Sequence, residues 1–166
     1  HHNSTLHFEW SALSVEYIVM VLNSTADDVV NVTLTDAASY QTKRLMPDFY
    51  TWVVWYVPIN GAENEILASG IFSLNASAKQ ILEWDAVSIS YQFRLLAVDG
   101  STVNAHEGEG LRADISDLES GSIYRWQVRA LDSNGHTTDW SLLRSVEVGT
   151  TQFLAFEVFS EWELAL

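Results

Sequence analysis

The chain has no cysteine among its 166 residues, which excludes a disulfide framework and thiolate metal sites. Proline is scarce, with two residues, and the eight glycines follow no period. Collagen-like and low-complexity architectures are therefore excluded. Apolar runs are short, as at Tyr17 to Leu22, far below the roughly 20 residues that a membrane-spanning helix needs. Positive charge is also scarce. Eight basic residues face 22 acidic ones, for a net charge of −14. Such a surface repels a phosphate backbone, so nucleic-acid binding is not expected. The acidity has no single centre: residues 1–74 carry −6 (8 acidic, 2 basic), residues 75–149 carry −5 (11 acidic, 6 basic) and the remainder −3. The first residue is His1 rather than Met, as expected after processing or behind a tag.

What the chain does have is apolar and aromatic material, at 48% and 12% of residues, ample for packed cores. It also has an internal repeat, the first thing to seek in any new sequence. Trp10 and Trp84 are 74 positions apart, and so are Tyr17 and Tyr91, Tyr50 and Tyr124, Trp52 and Trp126, Val54 and Val128, and Phe72 and Val146. The spacing predicts two copies of one unit, 1–74 and 75–149, followed by a strand over 150–166.

Within each copy apolar residues recur every second position. Tyr91, Phe93, Leu95 and Ala97 alternate with Gln92, Arg94 and Leu96; Tyr124, Trp126, Val128 and Ala130 alternate with Arg125, Gln127 and Arg129. A period of two is that of half-buried antiparallel strands. Turn dipeptides interrupt the alternation at Asp99-Gly100, Ser120-Gly121 and Asn134-Gly135. The predicted class is all-β, built of antiparallel sandwiches.

Two segments carry a family resemblance. ILEWDAVSISYQFRLLAV, with Trp84 and Tyr91, resembles strands B and C of a fibronectin type III domain. DLESGSIYRWQVRALDSNGHTTDWSLLRSVEV resembles that family's closing strands, with a Leu-x-x-Gly-x-x-Tyr corner at Leu118, Gly121 and Tyr124. LHFEWSALSVEYIVMVL and RLMPDFYTWVVWYV repeat these features more loosely, the corner shortened to Leu45–Tyr50. The resemblance covers residues 5–148 and implies two tandem β-sandwiches, each with its first strand short or missing. A fold used for many binding roles does not by itself supply a function.

No catalytic constellation emerges, and no cofactor is implied. His7, His106 and His136 fall at a strand start and in two loops, with no base placed beside a nucleophile. Asp132 to Asp139 superficially resembles a calcium loop but lacks the alternate ligands and the later Glu; a hairpin turn at Asn134-Gly135 is the expected reading. Asp27, Asp28 and Asp36, or Glu107 and Glu109, offer at most a weak Ca²⁺ site. Sequons occur at Asn3, Asn23, Asn31 and Asn75, which mark surface positions if the protein is secreted and glycosylated.

The copies differ in one informative way. Where the second copy presents Arg125, Gln127 and Arg129, the first presents Thr51, Val53 and Trp55, with Val57 beyond; its preceding strand turns out Ile18, Met20 and Leu22. The resemblance makes these two strands neighbours, so the six apolar residues should form one exterior patch, which is either an interface with another chain or a face that the second domain or the tail covers within the same chain. The tail alternates Leu154, Phe156, Val158, Trp162 against Glu157, Glu161 and Glu163. An amphipathic strand of that kind must pair with something: it opens a third repeat, completes a domain of its own chain, or inserts into a neighbour.

Two function classes fit these features. One is a non-catalytic extracellular structural or adhesive protein that contacts a protein partner, including copies of itself in a filament or surface layer, through Ile18, Met20, Leu22, Val53, Trp55 and Val57 and through the tail. The other is a spacer or carbohydrate-binding accessory module of a larger secreted hydrolase, with Trp55 and Tyr56 as sugar-stacking candidates. Both place the chain outside the cell or on its surface.

Overall fold

The computed structural model describes residues 3–149 and 153–156, with residues 3–4 and 153–156 described by backbone alone. The all-β expectation holds: among the described residues every regular element is a strand. The contacts divide the chain into two compact units.

The first unit spans residues 14–88. Its larger sheet contains β2 (Glu16–Asn23), β3 (Asp28–Thr35), β5 (Phe49–Val57) and β6 (Glu65–Ser73), in the order β3-β2-β5-β6, all antiparallel. Its smaller sheet pairs β4 (Ser39–Gln41) with β7 (Ile81–Glu83). β5 is composed almost wholly of aromatic and β-branched residues, which suit a pleated surface. Tyr17, Val19, Val21, Tyr50, Val54 and Tyr56 point into the core, where Leu82 and Val87 meet them. Tyr50 stacks on Phe72 at 5.1 Å and donates its hydroxyl to the Met46 carbonyl at 2.6 Å, which fixes the corner at Leu45–Tyr50. Gly70 lies opposite Trp52, and a Cβ there would come within 2.7 Å of the indole nitrogen, so only glycine leaves room for that ring.

The second unit joins residues 3–13 to residues 89–149 and 153–156. One sheet has the order β12-β11-β8-β9, from β12 (Arg144–Glu147), β11 (Ile123–Asp132), β8 (Ile89–Leu96) and β9 (Thr102–Gly108). The other has the order β10-β1-β13, from β10 (Arg112–Glu119), β1 (Asn3–Glu9) and β13 (Phe153–Phe156). Its core is aromatic: Phe8 lies 5.0 Å from Phe93 and 5.1 Å from Trp126, and Trp10 stacks on Phe93 at 6.0 Å. Such pairs contribute about 0.5–1.5 kcal/mol each beyond the area they bury.

These boundaries differ from the 1–74, 75–149 and 150–166 read from the repeat. The strand that opens each repeat packs against the body of the other one: β1 pairs with β10, and β7 with β4. The reason is chemical equivalence. Both opening strands carry the same Glu-Trp signature and turn an apolar residue inward two positions before the Trp, Phe8 in one and Leu82 in the other, so alternation alone does not say which body receives which strand.

Candidate functional site

The outer face of the β3-β2-β5-β6 sheet is the most distinctive surface among the described residues. Strand register assembles it row by row. Ile18 faces Leu34 on one side and Trp55 on the other, and Trp55 faces Ile66. Met20 lies between Val32 and Val53, and Leu22 between Val29 and Thr51, which in turn faces Ile71. Ile18, Met20, Leu22, Val53, Trp55 and Val57 therefore do share one face, each partly buried by its neighbours. The outermost apolar side chains are on the two edge strands: Leu34 is 61% exposed, Ile66 68% and Ile71 82%. The row Leu34–Ile18–Trp55–Ile66 is apolar across all four strands, whereas Ser69 closes the row of Met20 and Thr51 interrupts that of Leu22; adjacency of this kind distinguishes a patch from scattered exposed hydrophobics.

The edge residues escape a reading of the central strands alone. Val32 and Leu34 follow the period of two, so that signal was available. Ile66 and Ile71 differ by an odd number, which in a regular strand sets them on opposite faces. The register shift opposite Val54/Trp55 puts both outward. Tyr56 requires a correction. It is fully buried against Tyr17 at 6.3 Å, so it has no ring face to offer a sugar.

The corresponding face of the second unit is polar and tied together. Arg94 Nε donates to Gln127 Oε1 at 2.6 Å, Arg129 Nε donates to Gln92 Oε1 at 2.6 Å, and Gln92 Nε2 donates to Glu107 at 2.7 Å. Both guanidinium groups lie over the Trp140 ring, Arg94 at 4.2 Å and Arg129 at 4.4 Å from its centroid. The cue to this double cation–π contact in the sequence is two arginines facing outward on adjacent strands.

The remaining candidates have structural occupations. His7 Nδ1 meets Asp114 Oδ1 at 2.6 Å, and Arg112 Nε donates to the same oxygen at 2.7 Å. The His7 and Arg112 contacts hold the Asp114 carboxyl below its ordinary pKa. His106 is exposed on β9. Asp132 accepts the backbone N–H groups of Asn134 and His136, each at 2.9 Å, and Gly135 supplies the positive φ of 91° that this turn needs. Asp132 to Asp139 is thus a hairpin turn, as expected. Among the described residues, no group of three or more His, Asp or Glu is placed to hold a metal ion.

The sequons fall in unlike settings. Asn23 is engaged throughout: its Nδ2 donates to Asp48 at 3.0 Å, and its Oδ1 accepts the N–H groups of Thr25 and Ala26. Asn31 Nδ2 donates to Thr33 at 3.1 Å. Asn75 is exposed between β6 and β7, and Asn3 lies in β1. In the tail, Leu154 and Phe156 belong to β13, which runs parallel to β1 with its backbone opposite His7 and Glu9. Val158 and Trp162 lie outside the described residues.

Residues 77–152 match the model of one family, described as the N-terminal immunoglobulin domain of Rha78A-like proteins. No curated protein matches the chain, and no solved structure does. The fold is accordingly an immunoglobulin-like β-sandwich.

Proposed function

We propose that this chain is a non-catalytic, immunoglobulin-like accessory segment of a larger secreted hydrolase, and that the outer face of the β3-β2-β5-β6 sheet seats a neighbouring protein domain. The observation that carries the reading is the apolar row Leu34, Ile18, Trp55 and Ile66 across all four strands, with Val32, Met20, Val53 and Leu22 beside it. The match of residues 77–152 to an N-terminal domain supports a place beside further domains. A sugar platform is disfavoured because the face is mainly aliphatic: Trp55 is its one indole, and Tyr56 is buried. Stacking on sugar requires flat rings and polar groups beside them, whereas Ile, Leu and Val favour another apolar surface. Burying one such side chain contributes about 1.5–3 kcal/mol, so a few suffice for a lasting contact.

Hydrogen exchange of this chain, alone and within the longer polypeptide of its gene, tests the reading. In the longer protein the edge strands β3 and β6 should exchange about tenfold more slowly, equivalent to about 1.4 kcal/mol of added local stability. The double substitution Ile66→Lys/Ile71→Lys should remove that protection. Equal exchange in both settings, or a gene that encodes no further domain, would refute it. A second reading, a structural or adhesive protein, draws on the exchanged opening strands; in that case light scattering shows mass rising with concentration.

A further inference from the structure

The opening strands make reciprocal contacts. Trp10 lies 6.2 Å from Tyr91, and its repeat equivalent Trp84 lies 5.4 Å from Tyr17. The Leu13 amide donates to Tyr91 Oη at 3.1 Å, and the equivalent Val87 amide donates to Tyr17 Oη at 2.8 Å. Trading partners would set Trp10 and Leu13 against Tyr17, and Trp84 and Val87 against Tyr91, with indole and amide in the same roles, and with Phe8 and Leu82 as the equivalent inward residues two positions before each Trp. The indole N–H groups of Trp10 and Trp84 are both buried without an acceptor among the described residues, so they are alike in this respect too. The family match runs unbroken over 77–152 and so takes β7 together with β8 to β12, whereas β7 here pairs with β4. One opening strand thus fits two acceptors. The signature occurs a third time in the sequence: Glu9-Trp10 and Glu83-Trp84 are followed by Glu161-Trp162, which lie outside the described residues.

We propose that the opening strands are interchangeable donors and that their partner in trans is a second copy of this chain, β1 of one molecule filling the edge of β10 in the other. The donor's main chain supplies the ladder and its alternate side chains fill the core, as in strand addition generally. Leu6, Phe8 and Trp10, at 0%, 0% and 3% exposed, bury the same surface whether they arrive in cis or in trans. The balance therefore depends on the segment 11–15 that links β1 to β2, and on concentration. A tethered strand has an effective concentration on the order of a millimolar. Exchange between molecules is consequently expected when concentrated chains fold together, and not on simple mixing of folded protein.

The absence of cysteine makes this testable by cross-linking. His7 and Asp114 lie opposite one another in the β1–β10 register. Full-length chains carrying His7→Cys, and isotopically labelled chains carrying Asp114→Cys, are unfolded together, refolded at high concentration and oxidised. The expected product is a labelled–unlabelled dimer of twice 18.7 kDa joined through positions 7 and 114. It should be several-fold more abundant than the dimer from His7→Cys with the off-register Asp139→Cys. If it is no more abundant than this control, while the double variant closes the same bond within a monomer, the proposal is overturned. Should the cysteine variants not fold, light scattering of the unsubstituted chain after concentrated refolding decides. A mass of twice 18.7 kDa that Phe8→Asp abolishes supports exchange, and a monomer at every concentration overturns it. The Ile66→Lys/Ile71→Lys variant leaves these results unchanged, so failure here and failure of the accessory reading are separable.

Discussion

Substituting Gly70 by alanine sets two effects of opposite sign against each other. Glycine in a strand interior is disfavoured relative to alanine by about 0.5–1 kcal/mol, because the unfolded chain gains more freedom from it. In open surroundings Gly70→Ala would therefore stabilise the protein. Gly70 is not in open surroundings: the added Cβ would lie 2.7 Å from Trp52 Nε1 and 2.9 Å from Trp52 Cε2. Trp52 is partly buried and packs against the core of its unit, and its rigid ring is the group that must shift. Overpacking of this kind costs about 1–3 kcal/mol, so at mid-range the clash wins, for a net loss on the order of 1 kcal/mol. Urea unfolding gives the size of the effect, and hydrogen exchange of peptides from β5 and β11 shows which unit carries it. The loss should be confined to β5 and its neighbours, and it should vanish or change sign in a Trp52→Leu background. A neutral or stabilising Gly70→Ala, or the same cost in both backgrounds, would refute the reasoning.

Three further outcomes follow from the geometry. Tyr50→Phe removes the 2.6 Å bond to the Met46 carbonyl and should lower stability by about 1 kcal/mol, measured by urea unfolding. Trp140→Ala should lower the unfolding midpoint by removing the ring that both Arg94 and Arg129 lie over, each contact contributing about 0.5–1 kcal/mol; Trp140→Phe should recover part of the loss. Asp48 accepts bonds from Asn23, Thr25 and the Phe49 amide, which lower its pKa. A depressed carboxyl stabilises the fold above its unfolded pKa, and that contribution is lost as pH falls through the folded value. The melting difference between wild type and Asp48→Asn should therefore be present at neutral pH and shrink below about pH 4.

The sequence makes some of this legible and hides the rest for identifiable reasons. Tyr17, Val19 and Val21 alternating with Ile18, Met20 and Leu22 reveal a strand, its core face and an apolar exterior together, because β2 pairs without a slip through most of its length. Ile66 and Ile71 are hidden because a bulge reverses parity between them, and a bulge leaves no mark in a pattern of apolar residues. The destination of β1 is hidden for a different reason. Trp10 and Trp84 each follow directly on an opening strand, β1 and β7, and a repeat that makes two partners alike removes the information that would choose between them. The double contact of Trp140 depends on Arg94 and Arg129, which lie on strands far apart in sequence and adjacent in space.

The exchanged strand also dictates an order of events during synthesis. Residues 14–88 form a contiguous stretch, so that unit can close as soon as β7 has left the ribosome. The other unit cannot, because its acceptor is completed only by Val146 and Val148, more than 130 residues after Trp10. At about 5–20 residues per second, this interval lasts on the order of ten seconds. Throughout it Leu6, Phe8 and Trp10 have no home in their own nascent chain, except the one that β7 will claim. β1 thus waits longer for its acceptor than any strand of the other unit waits for its partners, and throughout that interval it is open to capture by a neighbouring nascent chain.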